Sequence, residues 1–136
     1  MAKILCSICM REGSRGIRNK NLIKINSKYL FFYTINQAKK SKIFDKIVVS
    51  TDSKKIRELS NQFGAECWFF RPKKFSQNKS PKLPVIKHLL KESELYFNNK
   101  FDFIIDLDVT SPLRKIDDIK NAYIKFRKYN SNNLIS

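Results

Sequence analysis

Lys3-Ile4-Leu5-Cys6-Ser7-Ile8-Cys9, followed after Met10 by Arg11-Glu12-Gly13-Ser14-Arg15-Gly16-Ile17-Arg18-Asn19-Lys20-Asn21, is the stretch on which the fold turns. The first seven residues form a short, mostly apolar run and read as a buried strand. The next eleven are polar and carry Gly13 and Gly16, which let a backbone approach a ligand and point amides at it. Ser14 adds a hydroxyl donor, and Arg11, Arg15, Arg18 and Lys20 place four cations within ten residues. Such a cluster repels itself unless an anion sits among it, so the segment reads as a phosphate-binding loop. A solvated basic turn is the plainer alternative. The spacing matches neither G-x-x-x-x-G-K-[ST] nor G-x-G-x-x-G.

Outward from this loop the pattern alternates. A helix is expected over Tyr29–Lys40, with Leu30, Tyr33, Thr34 and Ala38 on one side. Lys46–Ser50 is a second strand, rich in β-branched residues. Asp52 or Ser53 caps a helix carrying Ile56, Leu59 and Phe63, and Gly64 sits where a helix end wants left-handed geometry. Glu66–Phe70 is expected as a third strand, Arg71–Pro84 as a basic loop, and Pro84–Tyr96 as a helix with Ile86, Leu89, Leu90 and Phe97 on its apolar face. Phe103–Leu107 is a fourth strand ending at Asp108. Asp117 caps a last helix, and Asn133–Ser136 begins another strand.

The order β-α-β-α-β-α-β-α-(β) predicts an α/β fold: three layers, a mainly parallel sheet with helices on both faces. In such sheets ligands sit beyond the carboxyl ends of the strands. Chemistry is therefore expected at Arg11–Asn21, Thr51–Asp52, Arg71–Pro84 and Asp108–Arg114. Asp106 and Asp108 share a strand face and are candidates for a divalent metal, Asp108 above all.

At 136 residues, 42% hydrophobic and 29% charged, the chain reads as one globular domain. No window approaches the roughly 18 apolar residues of a membrane span, and the N-terminus lacks a small-residue cleavage site. A cytoplasmic protein is expected. The net charge of +16 fits a nucleic-acid surface, but the cations are spread along the chain and read as compositional. Cys6 and Cys9 form a C-x-x-C inside the first strand. Residues three apart on a strand point to opposite faces, so the pair reads as buried packing, not a zinc half-site. His88 reads as a surface residue.

These residues resemble the acylneuraminate cytidylyltransferases, the CMP–sialic-acid synthetases. Four motifs carry the resemblance: Met10–Leu22; Val48-Val49-Ser50-Thr51-Asp52; Gly64-Ala65-Glu66 with Arg71-Pro72; and Thr110-Ser111-Pro112-Leu113-Arg114. The Leu107-Asp108 form and Lys82-Leu83-Pro84 look most like the bacterial branch acting on legionaminic-acid-type sugars. The resemblance implies a Rossmann-like nucleotide-diphospho-sugar transferase fold, incomplete at its C-terminus, with residues 1–136 as its N-terminal nucleotide-binding portion. It implies transfer of CMP from CTP to an acidic nine-carbon sugar, with release of pyrophosphate and Mg2+ as cofactor.

By the same carry-over Arg11 and Lys20 hold the phosphates and carry the catalysis. Gly13, Ser14, Arg15, Asn21, Arg71 and Ser80 complete the nucleotide site, and Asp108, Thr110, Ser111 and Arg114 line the sugar side. Asn78 stands where the family commonly has Asp. Family members continue past this point into a dimerisation element and an acidic pair that binds magnesium. Neither is found in these residues, so a truncated product is expected, and an inactive CTP-binding module is the alternative to an enzyme.

Overall fold

The computed structural model describes residues 3–10, 24–72 and 82–109. Its central sheet has three parallel strands, β1 (Ile4–Met10), β4 (Lys46–Thr51) and β5 (Phe103–Asp106), in the order β4-β1-β5. Between β1 and β4 come a two-residue-per-strand hairpin, β2 (Lys24–Ile25) with β3 (Lys28–Tyr29), and helix α1 (Leu30–Ser41). Helices α2 (Lys54–Gln62) and α3 (Lys82–Phe97) lead on to β5. In register, Met10 lies beside Thr51 and Ser7 beside Asp106, so all three carboxyl ends share one edge.

The period-2 alternation of β1 builds two cores. Ile4, Cys6, Ile8 and Met10 face one way and pack with Phe31, Ile35 and Ala38 of α1 and Ile56 of α2. Leu5 faces the other way with Val48, against Leu89 of α3, and half-buried Cys9 joins that side. The sheet is thus covered by α1 and α2 on one face and by α3 on the other, the three layers expected. Cys6 and Cys9 fall on opposite faces, and none of Cys6, Cys9 and Cys67 forms a disulfide. The buried face of α1 is Phe31, Thr34, Ile35 and Ala38. Leu30 and Tyr33 lie at its margins, half-buried, because the helix is rotated toward its Phe31–Ile35 side.

Helix α2 ends as its sequence foretold. Ser53, not Asp52, is the N-cap, its Oγ accepting from Ile56 N–H at 3.2 Å. At the other end Gly64 N–H donates to Asn61 O and Ala65 N–H to Ser60 O, with Gly64 at φ +102°. That pair of bonds is a Schellman closure, and the positive φ selects glycine.

The expected third strand over Glu66–Phe70 is not one. The segment makes a single parallel bridge, Glu66 to Val48. The Asn61 side chain then takes Cys67: its Nδ2 donates to Cys67 O at 2.8 Å, and its Oδ1 accepts Cys67 N–H at 3.1 Å. A side-chain amide thus stands in for the neighbouring strand, and the ladder stops. Trp68 and Phe69 leave the ladder to join the α3-side core, Trp68 stacking on Tyr96 at 4.1 Å. The hairpin was also unforeseen. Asn26 and Ser27 both have positive φ, +53° and +67°, the signature of a tight two-residue turn. The helix expected from Asp117 and the strand expected at Asn133–Ser136 lie outside the described residues.

Candidate functional site

The carboxyl edge gathers what the sequence pointed to. Met10 leads into the Arg11–Asn21 loop there, Thr51 leads into the Ser53 cap of α2, and Leu107–Val109 leads into Thr110. Arg71 is fixed at the same edge. Its backbone N–H donates to Thr51 O at 3.0 Å and its Nη2 to Ser50 O at 3.3 Å, and the residue is 8% exposed. A guanidinium costs free energy to bury, so its anchorage on a strand-end carbonyl is a specific arrangement. Asp108 is half-buried just beyond β5. Arg11, Gly13, Ser14, Arg15, Lys20, Asn21, Ser80, Thr110, Ser111 and Arg114 lie outside the described residues.

Helix N-termini and lysines gather at this edge. Antiparallel packing of helices on parallel strands puts the N-termini of α1, α2 and α3 here, each with a partial positive charge. None of the three has an acidic residue in its first turn. Helix α2 instead opens on Lys54 and Lys55, and Lys24 and Lys55 both lie over the Tyr29 ring, at 4.8 and 5.9 Å. Cations at a helix N-terminus oppose the dipole. An anion at this edge relieves both terms.

The face beneath α3 changes character toward this edge. Its far half is apolar, with Leu5, Val48, Ile104 and Phe101. Its near half carries Ser7, Cys9, Ser50 and Asp106. Ser7 Oγ donates to Asp106 Oδ1 at 2.7 Å, and Cys9 Sγ lies 3.7 Å from the same oxygen. Ser7 and Asp106 are both buried. Asp106 Oδ1 is thus engaged by Ser7, while Asp108 lies half-buried beyond the end of β5. Among the described residues no three His, Cys, Asp or Glu side chains come together as metal ligands. They do not fit a magnesium site on their own.

His88 was expected at the surface and is instead half-buried. Phe69, released from the sheet, packs edge-on against its ring at 5.5 Å, and Glu92 one turn on lies 3.7 Å away. Sequence reasoning missed the buried Ser7–Asp106 pair. The available signal was a serine and an aspartate interrupting two otherwise apolar runs.

A cytidylyltransferase family model matches residues 5–134. The chain is 43% identical over 136 residues to the post-translational flagellin modification protein B of Campylobacter coli, covering all of this chain and 58% of that protein. It is 45% identical over 112 residues to the CMP-N,N'-diacetyllegionaminic acid synthase of Campylobacter jejuni, covering 82% and 48%. The N-acylneuraminate cytidylyltransferase of Escherichia coli O18:K1:H7 is 34% identical over 130 residues. In fold, the chain is similar to a CMP:2-keto-3-deoxy-manno-octonic acid synthetase solved with CTP, at a TM-score of 0.70, 18% identity, and coverage of 93% and 48%. The chain spans about half the length of these two Campylobacter relatives. With 130 consecutive residues matched, a parallel sheet layered between helices, and an arginine fixed at its carboxyl edge, this chain belongs to the cytidylyltransferase family.

Proposed function

We propose that residues 1–136 form the nucleotide-binding portion of an enzyme that transfers CMP from CTP to a nonulosonic acid of the legionaminic or sialic type. The carrying observation is the carboxyl edge of the sheet, where the end of β1 at Met10, the α2 N-terminus and buried Arg71 meet. The anomeric hydroxyl of the sugar acid attacks the α-phosphorus of CTP. A new P–O bond forms, the α–β phosphoanhydride bond breaks, pyrophosphate departs, and the hydroxyl proton is lost to solvent or base. Catalysis of this kind is mainly positioning and charge neutralisation.

In this reading Arg11 and Lys20 bind the phosphates, and Lys20 balances the charge growing on pyrophosphate. Gly13, Ser14, Arg15, Asn21, Arg71 and Ser80 hold the nucleotide, and Asp108, Thr110, Ser111 and Arg114 line the sugar side. Asp108 would be a candidate ligand for magnesium, which would supply further charge neutralisation at the triphosphate. The relatives include legionaminic, pseudaminic and N-acylneuraminate enzymes, which supports an acidic nine-carbon sugar as acceptor. The test is pyrophosphate release with CTP, magnesium and a panel of nonulosonic acids. Release with one or more sugars supports the reading, and CTP binding in calorimetry without release with any sugar leaves a nucleotide-binding module in its place.

A further inference from the structure

Away from the carboxyl edge, the amino ends of β1 and β5 meet the last turns of α3 around an open cleft of about 760 Å³. On α3 the lining positions Lys87, Leu90, Lys91, Glu94 and Leu95 recur at helical spacing and form one stripe. Lys3, just before β1, and Lys100, just before β5, close the other side. Lys3 and Met10 stand at opposite ends of β1, so the cleft lies roughly 20 Å from the edge assigned to the nucleotide.

Hydrogen bonds fix the rim. Lys3 Nζ donates to Asn99 Oδ1 at 2.6 Å, Lys3 N–H to Asp102 Oδ2 at 2.8 Å, and Asn99 N–H to the Glu94 carbonyl at 3.2 Å. The nearby carboxylates are already engaged. Glu94 Oε2 accepts Phe101 N–H at 3.1 Å, Asp102 is held on Lys3 N–H, and Glu92 lies 3.7 Å from His88. None of Lys3, Lys87, Lys91 and Lys100 forms an ion pair among the described residues. Four cations thus share one cleft with a single carboxylate, Glu94, which is turned to the backbone. The helix macrodipole does not account for them, because its effect fades within the last turn and α3 has no basic residue there. Like charges lining a concave surface raise the local concentration of an anion. Half-buried Leu90 and exposed Leu95 add an apolar wall between the charges. A cleft of this volume takes a small organic molecule, not only a bare ion.

We propose that this cleft binds a small organic anion, a phosphate or carboxylate carried on an apolar body, at a site separate from the nucleotide. Lys3, Lys87, Lys91 and Lys100 neutralise the anionic group, and Leu90 and Leu95 receive the apolar body. The site stands whether or not the carboxyl edge binds CTP.

The experiment titrates the full chain with naphthyl phosphate at low salt and follows the backbone amides by NMR. Saturable shifts are expected at Lys91, Leu95, Asn98 and Asn99. Naphthoate in a parallel titration decides between phosphate and carboxylate as the anionic group. Inorganic phosphate, which lacks the apolar body, and naphthol, which lacks the charge, are each expected to bind more weakly. Lys91→Ala and Lys100→Ala are each expected to weaken naphthyl phosphate about twofold to fivefold, the range of an exposed ion pair. Lys40→Ala removes an exposed lysine of α1 and leaves the affinity unchanged. Leu95→Ala weakens naphthyl phosphate but not inorganic phosphate. All four substituted residues are exposed, so the variants keep the fold. Shifts at these amides that do not saturate, or shifts confined to the carboxyl edge, overturn the proposal. So do wild-type affinity in both Lys91→Ala and Lys100→Ala, an equal loss in Lys40→Ala, or naphthol binding as tightly as naphthyl phosphate.

Discussion

Arg71 is tied to the end of β4 at both ends of the residue, Nη2 donating to the Ser50 carbonyl at 3.3 Å while its backbone N–H donates to Thr51 O. The guanidinium is therefore a structural plug at the end of β4, and in the proposed function it is also a cation for the nucleotide. Arg71→Ala removes a charged donor from a buried carbonyl, and a loss of about 1.5–3 kcal/mol is expected in denaturant unfolding. CTP affinity is expected to fall in the same variant. Arg71→Lys should recover part of the affinity but less of the stability, since an ammonium lacks the planar fork.

The first turn of α2 offers the opposite trade. Lys54 and Lys55 sit on the positive end of the helix, where carboxylates are preferred. Lys54→Glu is expected to raise the unfolding free energy by about 0.3–1 kcal/mol at low salt. The same change should weaken CTP binding, and both effects should shrink as salt is added. Unchanged affinity alongside increased stability would remove α2 from the nucleotide site.

Gly64 carries two separable constraints. Its φ of +102° disfavours any L-residue, and a Cβ there would stand 2.6 Å from Lys39 Nζ. Lys39 Nζ already donates to Phe63 O at 3.2 Å, so the side chain lies across the turn. Gly64→Ala is expected to cost at least about 1 kcal/mol, more than the ordinary glycine-to-alanine entropy gain can offset. Adding Lys39→Ala should return only the contact part, which a double-mutant cycle isolates.

Burial pushes the Cys67 thiol up from 9.0 to about 11, against Arg57, which acts in the other direction. The folded state therefore keeps its proton where the unfolded chain loses it. Below pH 9 the two states are alike at this group. As pH rises from about 9 toward 11 the unfolded state binds fewer protons and stability falls. Cys67→Ala should flatten that part of the pH–stability curve, whatever it does to stability at neutral pH.

The layered architecture was legible because each determinant is local. Alternation along Ile4–Met10, β-branching in Lys46–Thr51 and the Ser53 and Gly64 punctuation of α2 all act within a few residues. The failed third strand depended on something no local pattern carries, the capture of Cys67 by the Asn61 amide. A run of Glu66 to Phe70 has every strand propensity and lost to a side chain six residues earlier. The hairpin was hidden for the opposite reason: Asn26-Ser27 is a modest turn signal beside the usual Asn-Gly. At the site, Arg71 was reached through motif resemblance and Asp108 also through the strand face it shares with Asp106. The Ser7–Asp106 bond was not, because its partners meet only once β5 is laid beside β1.

The alternation of β1 also gives the molecule built-in reporters. Cys6 is sealed under α1 and α2, whereas Cys9 sits on the α3 side near the carboxyl edge. A thiol reagent that reaches Cys6 announces loss of the α1–α2 layer, whereas half-buried Cys9 sets the reference rate for an accessible thiol on the same strand.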